Sequence, residues 1–406
     1  MNPFKSHIII LNLLLLPAGY INGQSKPEAN FMKARAFIKA EVYDSALVYL
    51  DKSLKITENN KDALLDKATA LFNMHQYNRC LEVVKTLEKY DKAIGAMLSA
   101  KSYARIHDVD NCLTSLAVHL NSNYKYPESM IMLDRDFNVF ESNPKWVSFW
   151  KEGNWYTAFD RTLAEADFLI KTKKYTEAIN FLTEALSKGY RKSPIYSRRA
   201  KAYISLNNEK LALSDLDLAI DGDSRNSDLY SERAKINFTL GNYRKSLDDF
   251  NNAVRLNPAD PLLYMNRALA SNKNGLYEEA LSDIDFYLNL FPQNDSAWYY
   301  KGIIHQDHEN YMDALSCFSR SLTLNPADPR YYASRGTAYL NARTYKYAWR
   351  DLSMSLDLDP GNPEVYLSKG IAAVNLGDMN DACFCFRKAK ELGNTRADSF
   401  IEKYCK

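Results

Sequence analysis

The sequence predicts an all-α fold built as a stack of helical hairpins, on three observations. A 34-residue pattern returns seven times, from starts at Phe159, Ser193, Ser227, Pro261, Asp295, Pro329 and Pro363. Inside each half of a block, apolar residues recur at spacings of three and four, which is the helical period. Turn residues such as Gly241-Asn242, Asn274-Gly275 and Leu376-Gly377-Asp378 separate the halves.

Set in register, the seven blocks between residues 159 and 392 explain one another. Position 4 is aromatic at Tyr196, Tyr230, Tyr264, Trp298, Tyr332 and Tyr366. Position 8 is small throughout (Ala166, Ala200, Ala234, Ala268, Gly302, Gly336, Gly370), and so is position 20 (Ala178, Ala212, Ser246, Ala280, Ala314, Ala348, Ala382). A larger side chain at either position would force the two helices of a hairpin apart and open voids, so these mark the crossing. Pro258, Pro292, Pro326 and Pro360 at position 32 stop the second helix, because proline cannot donate the next backbone bond.

This register resembles the tetratricopeptide repeat (TPR) family, whose period and small/aromatic pattern it matches. The resemblance implies a right-handed superhelix whose inner surface, lined by first-helix side chains, holds an extended or helical segment of another protein. The residues it points to are Lys201, Lys235, Met265, Leu269, Tyr299, Ile303, Gln306 and Leu340. The two-carboxylate clamp by which some TPR domains grip chaperone tails is absent. Asn266 fits its middle position, but Ser231 and Lys235 precede it and Ser296 and Tyr300 follow.

Positions 7 and 23 change together. Arg199 accompanies Asp215, Arg233 Asp249, Arg267 Asp283 and Arg335 Asp351, whereas Lys301 accompanies Cys317 and Lys369 Cys385; the first block has Glu165 and Phe181. The expectation is a structural Arg–Asp bridge across each hairpin. A basic ladder for an anionic ligand is the alternative, opposed by the matching acids.

Taken in order, the chain opens with Lys5 and His7, an apolar run from Ile8 to Leu16, and a polar approach to Gly23-Gln24. The run is well short of the roughly 20 residues a membrane span needs, so residues 1–23 read as a secretory signal peptide cleaved before Gln24, with an uncleaved signal anchor as the alternative. Such a leader is similar to those of exported Bacteroidota proteins, and the expected location is the periplasm or the exterior. Residues 24–120 read as three diverged hairpins, with Ala34, Tyr43 and Ala46, then Ala68, Tyr77 and Cys80, then Ala100, Val109 and Cys112 at positions 8, 17 and 20. Residues 121–158 break the period and carry Tyr124, Tyr126, Phe137, Phe140, Trp146, Phe149, Trp150, Trp155 and Tyr156, too aromatic for a linker. The expectation is a packed junction, with an exposed docking site as the alternative. This insert resembles a segment, running from Leu133 to Phe137 with Pro144 and Trp146 after it, that follows short TPR blocks in many bacterial proteins. Residues 393–406 offer Phe400, Ile401 and Tyr404 on one face and suit a helix capping the stack.

The six cysteines meet oxidising conditions if the chain is exported. Small buried thiols are expected, with a disulfide from Cys405 to Cys383 or Cys385 as the alternative. Catalytic patterns are missing: no His-Glu-x-x-His, glycine-rich phosphate loop or Gly-x-Ser-x-Gly elbow occurs. His305 and His308 have a spacing that a metal site could use, but His305 falls in a core slot, so no metal, cofactor or catalytic residue is expected. A formal charge of +2 on 406 residues gives no reason for nucleic acid or anionic lipid as partner. The reading is a non-enzymatic protein-binding scaffold of the bacterial envelope, free of a membrane span once the leader is removed. The alternative is a small-molecule or glycan receptor using a pocket at the aromatic insert.

Overall fold

The computed structural model describes residues 26–190 and 192–405, all helix, turn and loop. The expected signal peptide and the mature start at Gln24 lie outside the described residues. Two compact units divide at Asp260 and Pro261.

The first unit begins with three hairpins, Lys26–Lys39 with Tyr43–Leu54, Lys61–Asn73 with Tyr77–Leu87, and Ala96–Arg105 with Val109–Leu120. The insert follows as Glu128–Met132, a 3₁₀ turn Arg135–Phe140, and Pro144–Glu152. Three more hairpins complete the unit: Ala158–Lys171 with Tyr175–Ser187, Lys192–Ser205 with Glu209–Gly222, and Ser227–Thr239 with Tyr243–Leu256. The second unit holds Pro261–Lys273 with Tyr277–Leu290, Asp295–Asp307 with Tyr311–Leu324, Pro329–Asn341 with Tyr345–Leu358, and Pro363–Leu376 with Met379–Glu391. The helix Ala397–Tyr404 closes it.

Local chemistry sets these boundaries. First helices start on Asn or Asp caps, for instance Asn294 accepting from the Ala297 N–H and Asp328 from that of Arg330. Second helices end two residues before the position-32 proline, with one capping residue between. Phe291, Asn325 and Asp359 there take φ of −128°, −144° and −139°, the extended backbone that a following proline imposes. The turn between the two helices of all ten hairpins places its position-15 residue at positive φ. Gly241, Gly275 and Gly377 do so without strain, whereas Glu41, His75, His107, Lys173, Asn207, Glu309 and Arg343 do so despite a Cβ.

The crossings are tight where the small residues sit. Ala166, Ala200, Ala234 and Ala268 are fully buried. A Cβ on Gly302 would lie 2.5 Å from the Phe318 ring and one on Gly336 2.7 Å from Leu352, so these two crossings leave no room for one without a shift of the facing side chain.

The insert builds one core with the third hairpin. Ile131, Phe137, Phe140, Trp146 and Tyr156 pack with Met97, Ala104, Leu116 and Leu120. Asn143 caps the last insert helix on the Lys145 N–H, with Pro144 in its first turn. Asp136 is buried and takes Arg105 Nε at 2.6 Å and Lys101 Nζ at 2.8 Å, while Asp134 takes Lys101 at 3.0 Å. The two acids of the Leu133–Phe137 segment thus pin the insert to Ala96–Arg105, the first helix of the third hairpin. Because the insert is continuous with that core, the expected breaks at 120 and 158 fall inside the first unit.

At the other end, Phe400, Ile401 and Tyr404 pack on Leu367, Ala373 and Phe386. A disulfide joins Cys383 to Cys405, with Cα atoms 5.5 Å apart. Buried thiols were the favoured expectation for these two; the capping helix turns its end back over Cys383 and makes the bridge instead. Cys80, Cys112, Cys317 and Cys385 are buried free thiols.

Candidate binding surface

All four Arg–Asp pairs form, each bidentate. Arg199 donates from Nε and Nη2 to Asp215 at 2.8 and 2.7 Å, Arg233 to Asp249 at 2.9 and 2.7 Å, Arg267 to Asp283 at 2.7 and 2.8 Å, and Arg335 to Asp351 at 2.6 and 3.1 Å. The aspartates are buried. Hydrogen bonding to Asp215 raises the Arg199 pKa above the usual guanidinium value. The remaining guanidinium nitrogen reaches back to position 25 of the preceding hairpin: Thr183 for Arg199, Asp217 for Arg233, Ser319 for Arg335. The Arg199, Arg233 and Arg335 bridges therefore tie their own two helices together and their hairpins to the ones before. That backward bond accounts for Lys301 but not for Lys369, whose partner lies in its own hairpin. Lys301, facing Cys317 instead of an aspartate, turns to Asp285 at 2.7 Å, while Lys369 takes Asp381 at 3.3 Å.

The other candidate residues lie on first helices and fall in both units. In the first, Lys201 and Lys235 are exposed. Lys201 Nζ approaches Glu232 Oε1 at 3.5 Å, and burial pushes the Glu232 carboxyl pKa up. In the second unit Met265, Leu269, Tyr299, Ile303, Gln306 and Leu340 are all half-buried. Tyr299 and Ile303 pack on Ala314, Phe318 and Ala338, and Tyr299 stands 5.1 Å from the Tyr331 ring. They serve the core and the surface together. At position 12 of successive repeats, Asn272 Oδ1 and Gln306 Oε1 are buried without a hydrogen-bond partner among the described residues. Nearby charges are internally paired: Lys273 with Asp307 at 2.7 Å, and Arg330 with Asp328 at 2.6 Å. The stripe is apolar and amide-lined.

Residues 232–295 and 299–363 match a family described as tetratricopeptide repeat, and residues 363–392 match a second so described. The matched segments are similar to tetratricopeptide repeats. Residues 39–119 match the family described as anaphase-promoting complex, cyclosome, subunit 3. Among solved structures, a tetratricopeptide repeat protein from Parabacteroides merdae is similar at 18% identity with a TM-score of 0.53, over 61% of this chain and 99% of that one. The C-terminal part of a TPR repeat-containing protein from Cytophaga hutchinsonii is similar at 20% identity with a TM-score of 0.45, over 58% and 98%. Yeast Tom70 is similar at 16% identity with a TM-score of 0.42, over 93% and 95%. No curated protein matches the chain in sequence.

Outside the TPR stripe, chemistry is sparse. His305 is buried with Nδ1 2.9 Å from the Tyr277 hydroxyl, filling a TPR core slot. Among the described residues, no group of three His, Cys, Asp or Glu could hold a metal ion. No described helix is long and apolar enough to cross a membrane. Beside the insert, a cavity of about 150 Å³ is lined by Lys125, Tyr126, Tyr156, Asp160, Asp167 and Arg198. Glu128 and Arg161 also line it, and four of its charges form the pairs Lys125–Asp160 and Arg198–Asp167, at 2.7 and 2.8 Å.

Sequence reasoning missed Asn272, although the TPR register sets it at position 12 beside Gln306. It also missed the position-25 contacts, whose residue type changes from repeat to repeat.

Proposed function

We propose that this chain is a non-enzymatic scaffold of the bacterial envelope that holds a peptide or protein segment on the first-helix face of its repeats. The observation that carries the reading is the half-exposed apolar stripe of Met265, Leu269, Tyr299, Ile303 and Leu340 on successive first helices. Export fits the disulfide between Cys383 and Cys405, a bond that persists in oxidising compartments.

A small-molecule or glycan receptor at the insert has less support. Phe137, Phe140 and Trp146 are buried in a core and offer no aromatic face to a ligand.

The test is a crosslinked pull-down from the native envelope with the chain from Gln24. It is run beside a stripe variant (Leu269→Glu with Gln306→Lys) and an outward control (Asp248→Lys), all shown folded by circular dichroism. A defined protein captured by wild type and control but lost with the stripe variant supports the proposal. Equal capture by all three rejects it.

A further inference from the structure

The helix Tyr345–Leu358 buries Ala348, Asp351, Leu352, Ser355 and Leu356 on one side. Its other side is unlike the polar outer faces of most second helices. Tyr347, Met354 and Leu358 are 52%, 40% and 45% exposed. Arg350 lies over the Tyr347 ring, 5.6 Å from its centroid. With Lys346 and Asp357 these residues are three or four apart, which puts them on one face. At the positions of Tyr347 and Met354 the preceding repeat has Asp313 and Arg320, and an earlier one Lys245 and Asn252. Only Glu209–Gly222 repeats the apolar pair, as exposed Leu211 and Leu218, and there the intervening Asp217 is held by Arg233.

We propose that this face is an isologous docking surface for a second copy of the chain. The charges are arranged for self-pairing: Lys346 stands at the start of the face and Asp357 at its end, and neither is in an ion pair among the described residues. Two such helices packed antiparallel about a two-fold axis near Leu352 set Lys346 of each copy against Asp357 of the other. The same register sets Tyr347 against Leu358 and Arg350 against Met354. Twofold symmetry makes every one of these contacts twice. Parallel packing would instead oppose Lys346 to Lys346. A single helix pair covers less than the roughly 1,200 Å² of a standard interface, so the dimer is concentration-dependent. Met312 and Phe384, 77% and 53% exposed at outward positions of the flanking second helices, extend the contact.

Sedimentation of the chain from Gln24 tests this directly. Wild type is expected to shift from monomer to dimer as concentration rises to about 100 μM, Met354→Glu to stay monomeric, and Lys346→Asp or Asp357→Lys alone to weaken association about tenfold. Mixing the two single-charge variants restores dimer, because each supplies the charge the other lacks, and so does the double variant. All substitutions are at exposed positions, and circular dichroism verifies folding. A wild type monomeric throughout the range, a dimer insensitive to Met354→Glu, or a mixture that does not recover dimer overturns the proposal.

Discussion

Replacing Asp351 with Ala tests the repeated bridge most severely. Asp351 exposes 2% of its side chain and Arg335 17%, so the pair is almost wholly removed from water. The substitution takes away two charge-assisted bonds and leaves Arg335 only the Ser319 hydroxyl at 3.1 Å. Breaking a buried pair costs roughly 3–5 kcal/mol, and the residual exposure of Arg335 sets the expected loss near the lower end, about 3 kcal/mol. Asp249→Ala is the internal control. There Arg233 keeps the exposed carboxylate of Asp217 at 2.6 Å, so the loss is smaller, about 2 kcal/mol. Because repeat proteins open locally, the assay is hydrogen exchange on peptides covering 345–358 and 243–256, supported by urea unfolding. Equal losses at the two sites, or less than about 1 kcal/mol at Asp351, would refute the argument from burial and backward bonding.

Three further outcomes follow from the same structure. Ser246 puts a buried, unpartnered hydroxyl where six other repeats have Ala, so Ser246→Ala raises stability by about 1 kcal/mol in urea unfolding. Arg343, at φ 58°, strains its turn, and Arg343→Gly raises stability by about 0.5–1 kcal/mol in the same assay. His119 is buried, accepts from the Tyr126 N–H through Nε2, and has its pKa pushed by burial down to about 4. Its neutral form is the folded one, so its contribution is complete above the unfolded pKa near 6.5 and is lost as pH falls towards 4. Between pH 7 and pH 5 this amounts to about 2 kcal/mol. Tryptophan-monitored unfolding of wild type and His119→Gln should show that loss shrinking in the variant.

Much of the fold was legible because the chain compares itself with itself. Small residues at positions 8 and 20, and the paired change of positions 7 and 23, recur for a packing reason and are visible without any structure. Features whose residue type varies were not. Lys173, Glu309 and Arg343 give no sign in sequence of left-handed turns, since neighbouring packing rather than local preference holds them there. The position-25 partners alternate among Thr183, Asp217 and Ser319, any of which can accept from an arginine. Cys383 and Cys405 required the direction of the capping helix, a tertiary quantity. For the proposed binding stripe the sequence leaves core and surface roles unseparated: Tyr299 and Ile303 sit where the two meet, and first-helix periodicity does not distinguish them.

The most direct test of the scaffold reading is site-specific photo-crosslinking in the native envelope, with the reactive group at residue 269 and, separately, at residue 248. The account predicts that position 269 captures a defined segment of one partner protein, identifiable by mass spectrometry, and that position 248 does not. Capture of that segment from position 248 alone, or no adduct at 269 in a folded chain, would contradict it.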